Sequence, residues 1–311
     1  MNTDPVYFSG YKAAYKQKLG GRTDGCATFY KQNRFNCCNC VPIELSVDGC
    51  AVLDRPNVAL LMLLEPVVSH CDGRSSMCVC VANTHLLFNP GRGDVKLAQL
   101  MFLFAAVDEV AGMTAEPCPK YHPVILCGDL NLQPFSSLHD FIVSGSLHFE
   151  GLPIRAMSGQ KRDDSGRRLY PQYFLPPPVD VTDFCQFFDV TEHRRKASRS
   201  RHRWRTYEES FCSGTARHAL NLVSAYGDAV PEAVTAWLGD RSRGAHVDHI
   251  FYSADQRNPR FAVDRLGQGF LTLSHVFQLP TEVEVHQSGG LPNDKESSDH
   301  LMLMASFILT T

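Results

Sequence analysis

Apolar residues in this chain occur in short runs, and the length and spacing of these runs predict mostly strands. Residues 58–64 and 78–82 are apolar throughout, which is typical of strands buried on both faces of a sheet. Residues 25–30 and 40–45 are predicted as neighbouring strands separated by a polar turn at residues 31–34. Further strands are predicted at residues 124–127, 246–253 and 301–309.

One segment has helical spacing instead. Residues 93–110 carry apolar side chains three and four positions apart, at Leu97, Leu100, Phe104 and Val107. Asp94 is placed to cap the start of this helix. Strands that alternate with few helices predict an α/β domain, with a sheet core in two layers and flanking helices.

Residues 152–245 differ in composition from the rest of the chain. Three consecutive prolines interrupt any regular element, and residues 193–205 hold seven Lys or Arg side chains around Trp204. We expect a single domain over residues 1–311, with a less ordered basic excursion at about 162–245. The basic run is interpreted as a solvated loop, or as an arm that follows phosphates while Trp204 stacks on a base.

Composition narrows the class of protein. With 311 residues, 44% of them hydrophobic, the chain can bury a large core, and its net charge of −3 identifies no partner. The 12 cysteines lack the paired spacing of a zinc site, and no signal or spanning segment is recognised. We therefore expect reduced thiols, a cytoplasmic location with the nucleus as the alternative, and no membrane partner.

Polar side chains follow one predicted strand and precede another. Asp129 and Asn131 come at the end of the strand at 124–127, and side chains two apart on an extended segment point to the same side. Ligand crevices lie at the carboxyl ends of strands in open α/β sheets. Asp299 and His300, just before the last strand, add a base with a carboxylate neighbour. The pattern predicts a site for a hard metal ion or a phosphate.

Four motifs, taken in order, resemble the endonuclease/exonuclease/phosphatase superfamily. They are Asn83-Thr84-His85, Gly128-Asp129-Leu130-Asn131, the segment 247–253 that contains Asp248, and Ser298-Asp299-His300. Within the superfamily the chain is most similar to the deadenylase, nocturnin and Angel branch. The connecting segments 23–27, 89–97 and 150–160 look most like those of Angel proteins.

The resemblance implies a fold, a cofactor and a set of roles. The fold would be a four-layered α/β sandwich, and the activity would be phosphoester hydrolysis with Mg²⁺, or with Mn²⁺ as the alternative. Asp129 and Asn131 would position water and contact the phosphate or metal, Asp248 would orient His300, and His85 would donate to a phosphate oxygen. The implied catalytic residues are His85, Asp129, Asn131, Asp248 and His300. The implied metal ligands are Asp129, Asn131 and Asp299, and the implied substrate-binding residues are Asn83, Pro90 and Trp204. Structural alternatives are a turn at Asp129, a cap at Asp299 and a core histidine at His85.

The chain also departs from the family pattern. Family members carry a first strand that ends in Asn and a second that ends in Glu, the principal magnesium ligand, and Met1 lies downstream of both. Neither Glu44 nor Glu65 stands in a comparable motif. We expect a domain that lacks its first strands, binds magnesium weakly and is nearly inactive. No stacking aromatic is evident at residues 242–244, which makes a poly(A) preference doubtful.

Three functions are therefore weighed. The first is a magnesium-dependent phosphoesterase acting on RNA 3′ ends, either as a 3′-to-5′ exonuclease or as a 2′,3′-cyclic phosphatase. The second is a catalytically impaired module that binds RNA or a protein of mRNA metabolism. The third is a phosphatase for a small nucleotide or an inositol phosphate. No preference for DNA is evident.

Overall fold

The computed structural model describes residues 10–67, 77–113, 120–161, 164–176, 179–188, 213–227, 233–238, 243–254 and 270–310. Its elements, in chain order, are β1 Tyr11–Gln17, β2 Gly25–Lys31, β3 Phe35–Ser46, β4 Asp54–Pro66, β5 Val79–His85, α1 Gly93–Ala111, β6 Gly112–Met113, β7 Lys120–Tyr121, β8 Val124–Asp129, α2 Ser137–Ser144, β9 Ser146–His148, a 3₁₀ turn Pro171–Tyr173, β10 Thr215–Arg217, β11 Leu222–Ser224, β12 Ala236–Leu238, β13 Arg243–Ala245, β14 Asp248–Ser253, β15 Phe270–Val276, α3 Glu282–Gln287 and β16 Ala305–Thr310.

A six-stranded mixed sheet forms the centre, in the order β11-β14-β8-β5-β4-β3. Strands β5 and β8 run parallel, whereas the other neighbours in this sheet are antiparallel. Residues Val58 to Met62 of β4 are buried without a break, because this strand has neighbours on both edges and is covered on both faces. The continuous apolar run in the sequence thus correctly predicts a central strand.

Helices α1 and α2 cover one face of this sheet. Helix α1 packs against β3, β4 and β5, and α2 packs against β11 and touches α1. Side chains from the helices and from alternate strand positions, such as Leu61, Leu126 and Phe104, form the main core. The removal of this apolar surface from water is the dominant favourable term in forming the layer.

The opposite face of the sheet is covered by β1 and β2. These strands pair with each other and pack on β4, where Cys26 joins Val58, Leu60 and Met62 in a second apolar cluster. Strand β2 does not pair with β3, which instead pairs with β4. The prediction of two neighbouring strands is correct in position and wrong in pairing, because the chain crosses from one sheet to the other at the predicted polar turn.

The starts of two elements differ from those predicted from the sequence. Helix α1 is capped by Arg92 without a side-chain hydrogen bond, and Asp94 instead accepts from Arg92 Nε at 2.9 Å. The prediction that Asp94 caps the helix is therefore wrong: an ion pair inside the first turn takes up its carboxylate. The last strand begins at Ala305 rather than at residue 301, because residues 299–301 bond to β12 and its flanking residue.

The segment 162–245 contains parts that are integral to the fold. Leu169, Phe174 and Ala216 lie in the main core, and β11 is an edge strand of the central sheet. These parts are therefore not an excursion from the domain. The basic run at 193–205, with Trp204, lies outside the described residues. Among the helices of the described residues, none has the length and apolar content to cross a membrane.

Candidate active site

The site is built where β5 and β8 run side by side. In their parallel register His85 lies next to Asp129, at the carboxyl ends of both strands. Gly128 makes this approach possible: a Cβ at this position, where φ is +135°, would lie 1.9 Å from the carbonyl oxygen of Thr84. No other residue has room for such a backbone conformation and contact. The glycine of the Gly128-Asp129-Leu130-Asn131 motif is thus explained by sterics.

Strand β14 brings a second carboxylate to the same place. Asp248 is the direct partner of Asp129 in the antiparallel register of β14 and β8. The hydroxyl of Thr235 accepts a hydrogen bond from the backbone N–H of Asp248 at 3.0 Å, which holds the start of the strand. Because both strands are in one sheet, the two carboxylates must share one side of it.

His300 completes the cluster from a distant part of the chain. It bridges to Ala236 of β12, and its Nδ1 lies 2.8 Å from Asp248 Oδ2. One ligand atom from each of Asp129, Asp248 and His300 lies within 4.8 Å of the others, in the part of the chain that the structure describes. Asp248 and His300 are thus hydrogen-bonded to each other, which is the contact through which the predicted orientation of His300 would act.

Two members of the cluster, Asp129 and His300, have shifted pKa values. Burial and the nearby Asp248 raise the pKa of Asp129 to about 6. The hydrogen bond to Asp248 raises the pKa of His300 to about 9, against the opposing effect of burial. At neutral pH the cluster therefore contains a charged Asp129 carboxylate that is costly to bury and an imidazolium that partly compensates for it.

His85 contributes a neutral ring. Burial, followed by the charge of Lys18, lowers the pKa of His85. Lys18 Nζ lies 3.4 Å from His85 Nδ1, and His85 Nε2 lies 3.3 Å from Asp129 Oδ2. Because an ammonium group can only donate, Nδ1 accepts and the ring proton sits on Nε2, directed at Asp129. His85 is thus prepared to donate a hydrogen bond within the site.

Two buried polar side chains of α1 support the site, and neither was predicted from the sequence. Lys96 Nζ donates to the carbonyl of Asn131 and to Gln160 Oε1, each at 2.6 Å. Burial lowers the pKa of Lys96 to about 7. The available signal was the absence of a polar face on α1, since a helix that is buried almost all round must find partners for its polar side chains.

The second of these side chains is Gln99, which links the helix to β5. Gln99 Oε1 accepts from the backbone N–H of Leu87, and its Nε2 donates to Asn57 Oδ1 at 3.1 Å. Asn57 in turn donates to the carbonyl of His85 at 2.8 Å. This chain of hydrogen bonds holds the backbone on both sides of Leu86, at the end of the strand that carries His85.

The structure places the other predicted residues around the cluster rather than in it. Asn131 is buried in a left-handed conformation with φ of 52°, so it is not on an extended segment as predicted, and its amide donates to the carbonyl of Leu86. Asp299 is exposed, and its carbonyl accepts from the backbone of Trp237. Asp299 does not belong to the group of three close ligand atoms in the described chain, and the backbone N–H of Asn131 donates to Asp129 Oδ1 at 3.0 Å.

The predicted substrate-binding residues have separate surroundings. Asn83 donates to the carbonyl of Ala27 at 2.9 Å, a contact that ties β5 to β2. Pro90 lines a cavity of about 990 Å³ that shares no lining residue with the cluster. Trp204 lies outside the described residues.

The donor set fits a hard divalent cation. Carboxylate oxygens are the preferred protein ligands of Mg²⁺. Burial, followed by the charge of Asp248, raises the pKa of Asp129, and a nearby cation would offset both effects. Glu44 and Glu65 lie outside the cluster: Glu44 pairs with Lys16 at 2.6 Å, and Glu65 lies 3.9 Å from Cys38. In the described residues Asp129 and Asp248 are the carboxylates that could hold the ion.

This fold is that of a known family. The chain belongs to the Endonuclease/Exonuclease/phosphatase family, which matches residues 5–300. The resemblance to its Angel branch is confirmed as well: the chain is 37% identical to Protein angel homolog 2 of Danio rerio over 308 residues, covering 96% of this chain and 52% of that protein. It is 35% identical to Protein angel homolog 1 of Homo sapiens over 356 residues, covering 96% of this chain and 52% of that protein. The chain thus spans about half the length of these curated relatives.

Solved structures of related proteins have the same fold as this chain. The crystal structure of ANGEL2, a 2′,3′-cyclic phosphatase, in complex with adenosine-2′,3′-vanadate matches with a TM-score of 0.77 and 33% identity over 96% of this chain and 75% of that chain. The human Nocturnin catalytic domain with a bound sulfate matches with a TM-score of 0.51 and 20% identity over 97% of this chain and 73% of that chain. The second match supports the fold alone. The predicted α/β sandwich of this family is confirmed.

Proposed function

We propose that this protein is a metal-dependent phosphoesterase that opens 2′,3′-cyclic phosphates at RNA 3′ ends. The observation that carries the proposal is the cluster in which Asp129, Asp248 and His300 bring their ligand atoms within 4.8 Å of one another. Two carboxylates and an imidazole that meet where β8 ends and β14 begins are groups that position water and bind a phosphate. The constellation is therefore suited to hydrolysis of a phosphoester.

Each residue has a role that its surroundings support. Asp129, largely ionised above its pKa of about 6, accepts a proton from the attacking water and positions it. His300, held by Asp248 and cationic at neutral pH, faces the phosphate and stabilises its negative charge. His85 donates from Nε2 to a phosphate oxygen or to the leaving oxygen. Asp248 orients His300 and does not itself react.

We propose Mg²⁺ as the cofactor, with Mn²⁺ as the alternative. Asp129 and Asp248 would hold the ion, with Asn131 and Asp299 beside it. The ion would neutralise charge on the phosphate. A hard ion is favoured because the ligands are carboxylate oxygens rather than thiolates.

RNA is proposed as the substrate on chemical grounds. A 2′,3′-cyclic phosphate requires a 2′ oxygen, which RNA has and DNA lacks. The ANGEL2 structure, 33% identical to this chain, is described as that of a 2′,3′-cyclic phosphatase in complex with an adenosine-2′,3′-vanadate. We extend this chemistry to the present chain. The proposal includes a cytoplasmic place of action, with the nucleus as the alternative, and protein partners in mRNA metabolism.

The test is hydrolysis of a short RNA that ends in a 2′,3′-cyclic phosphate, with and without Mg²⁺. Asp129→Ala and His300→Ala should each lower kcat/KM by at least about a hundredfold, as loss of a positioned acid or base does. Asp294→Asn, a change of an exposed carboxylate, is the matched control. Rates of the two alanine variants within a few-fold of the parent would refute the assigned roles.

Two parallel substrates separate the alternatives. Shortening of an RNA with a free 3′-hydroxyl at a rate equal to that of cyclic phosphate opening would favour a 3′-to-5′ exonuclease. Preferential hydrolysis of an inositol phosphate would favour a small-molecule phosphatase. RNA binding without any Mg²⁺-dependent turnover would favour a binding module.

A further inference from the structure

Two cysteine side chains meet at the amino end of β5, the opposite end of that strand from His85. Cys38 belongs to β3, and Cys78 immediately precedes β5, so β4 lies between the two strands concerned. The Cys78 thiol donates a hydrogen bond to Cys38 Sγ at 4.0 Å, although the two residues are 40 positions apart in the chain. The fold thus brings together two thiols that the sequence does not pair.

The backbone at Cys38 departs from the regular ladder of the sheet. The register of β3 on β4 shifts between Cys37 and Asn39, which makes Cys38 the extra residue of a β-bulge. Strand β3 is also an edge strand of the six-stranded sheet. Because the extra residue of a bulge is not held by ladder hydrogen bonds, Cys38 can shift towards Cys78 without breaking the pairing of β3 with β4.

The two thiols differ in their access to solvent. Cys38 is exposed, and its thiol donates to Glu65 Oε2 at 3.9 Å while its sulfur accepts from Cys78. Cys78 is only 7% exposed. Burial, followed by the charge of Cys38, raises the pKa of Cys78 to about 12, so Cys78 keeps its proton at neutral pH. Cys38 is therefore the thiol that a reagent in solution meets first, with a buried thiol directly beside it.

We propose that Cys38 and Cys78 form an oxidation site, at which hydrogen peroxide converts the two thiols into a disulfide. In the first step the Cys38 sulfur attacks one peroxide oxygen, the O–O bond breaks, and Cys38 becomes a sulfenic acid while water leaves. In the second step the Cys78 sulfur attacks the sulfenic sulfur, the S–O bond breaks, and the hydroxyl group leaves with the Cys78 proton as water. Two thiols and one peroxide thus give one disulfide and two water molecules.

The bridge requires a small movement and has a definite consequence for stability. The two sulfur atoms must close from 4.0 Å to about 2.05 Å, a shift that the bulge at Cys38 can supply. The disulfide would join β3 to the start of β5 across β4, and it would constrain the unfolded chain between positions 38 and 78. Because neither cysteine belongs to the catalytic cluster, this site is independent of the proposed phosphoesterase activity.

Peptide mapping by mass spectrometry tests the site in the folded parent protein after treatment with hydrogen peroxide. The expected product is a pair of peptides joined through Cys38 and Cys78, and dithiothreitol should separate them again. Cys40→Ser, which removes another exposed thiol of β3, is the matched control and should leave the bridge unchanged. Joining of Cys38 to any other cysteine, or oxidation of Cys38 to a sulfinic acid without a bridge, would refute the site.

Two variants test the order of the steps. In Cys78→Ser the sulfenic acid of Cys38 should accumulate, and dimedone should trap it. In Cys38→Ser the bridge should be lost, and Cys78 should stay unmodified because it is buried. Since Cys38 is exposed, this second variant should keep the parent fold, which circular dichroism checks. Oxidation of Cys78 at the same rate in Cys38→Ser as in the parent would contradict the assigned order.

Urea unfolding measures the effect of the bridge on stability. Treatment with peroxide should raise the urea midpoint of the parent and of Cys40→Ser, because the disulfide constrains the unfolded chain. The midpoint of Cys38→Ser should not rise. A bridge that forms only in the presence of urea would show that the two sulfur atoms do not meet in the folded chain, and would also refute the site.

Discussion

Asp129 and Asp248 stand directly opposite each other in the antiparallel pair of strands β8 and β14. Like charges in this position destabilise a sheet. The repulsion contributes to the raised pKa of Asp129, and His300 offsets it through its bond to Asp248. An arrangement that opposes folding is typical of a functional site, where the same repulsion favours binding of a cation.

Asp248→Asn should lower the pKa of His300 from about 9 towards its ordinary value of 6.5, because the variant replaces a charged hydrogen-bond acceptor with a neutral one. The measurement is the pH titration of the His300 ring signal by NMR in metal-free protein. Asp299→Asn, which removes a weaker and exposed influence on the same ring, should shift it less. Titration of His300 near pH 9 in both variants would show that the hydrogen bond to Asp248 is not the cause of its raised pKa.

The hydrogen-bonded pair Asp248 and His300 should make the free energy of unfolding depend on pH. The pKa of His300 is higher in the folded protein than the unfolded value of 6.5, so its stabilisation is fully present below pH 6.5 and is lost as the pH rises through about 9. Denaturant unfolding of the parent and of Asp248→Asn between pH 6 and 10 measures this, with the difference between the two proteins narrowing as the pH rises. A constant difference would show that the pair does not titrate in this range.

Gly128→Ala should destabilise the fold by about 3 kcal/mol or more, since it adds a clash with the Thr84 carbonyl to an unfavourable positive φ. Gly49→Ala is the matched control, because Gly49 also has a positive φ, +78°, but a Cβ there meets nothing within 4 Å. The control should lose only about 1 kcal/mol. Chemical denaturation measures the free energy of unfolding of both variants. Equal losses would mean that the close approach of β5 and β8 at Gly128 leaves enough room for a Cβ.

Lys96→Met should change how the free energy of unfolding varies with pH between 7 and 10. The folded pKa of Lys96, about 7, lies below the unfolded value of 10.5, so its contribution is fully present above pH 10.5 and is lost as the pH falls towards 7. The parent should therefore gain stability between pH 7 and 10 relative to the variant. Lys16→Met, at a solvent-exposed ion pair, should leave the slope as in the parent. Identical slopes for the parent and Lys96→Met would contradict the burial of the ammonium.

Gln99→Leu should cost about 1–3 kcal/mol of stability, because Asn57 and the Leu87 N–H lose their buried partners. It should also lower phosphoesterase activity by misplacing His85. Gln186→Leu is a suitable control, since its amide makes one long contact with Asp108 at 3.5 Å. Thermal or denaturant unfolding and activity are measured together, and a Gln99→Leu variant as stable as the parent would show that this hydrogen-bond chain does not stabilise the site.

The sequence predicted the elements whose signal is local. The apolar runs at 58–64 and 124–127 identified two strands of the central sheet, and the helical spacing at 93–110 identified α1. The polar groups that end or begin strands, Asp129 and His300, were recognised from motif order. Pairing was not predicted correctly for β2 and β3, because the residue pattern within a strand does not indicate which sheet that strand joins.

The sequence alone determined the family, the α/β class, the strand-ending Asp129 and the presence of Asp248 and His300 in suitable motifs. The tertiary structure decided how they act together. Asp248 and His300 are 52 positions apart and meet only through the pairing of residue 300 with β12, and Lys96 reaches the Asn131 carbonyl across 35 positions. Local periodicity reports which face of a strand or helix is buried, whereas the partner of a buried polar group depends on contacts between distant segments. That is why the roles of Lys96 and Gln99 in α1 became visible only in the folded chain.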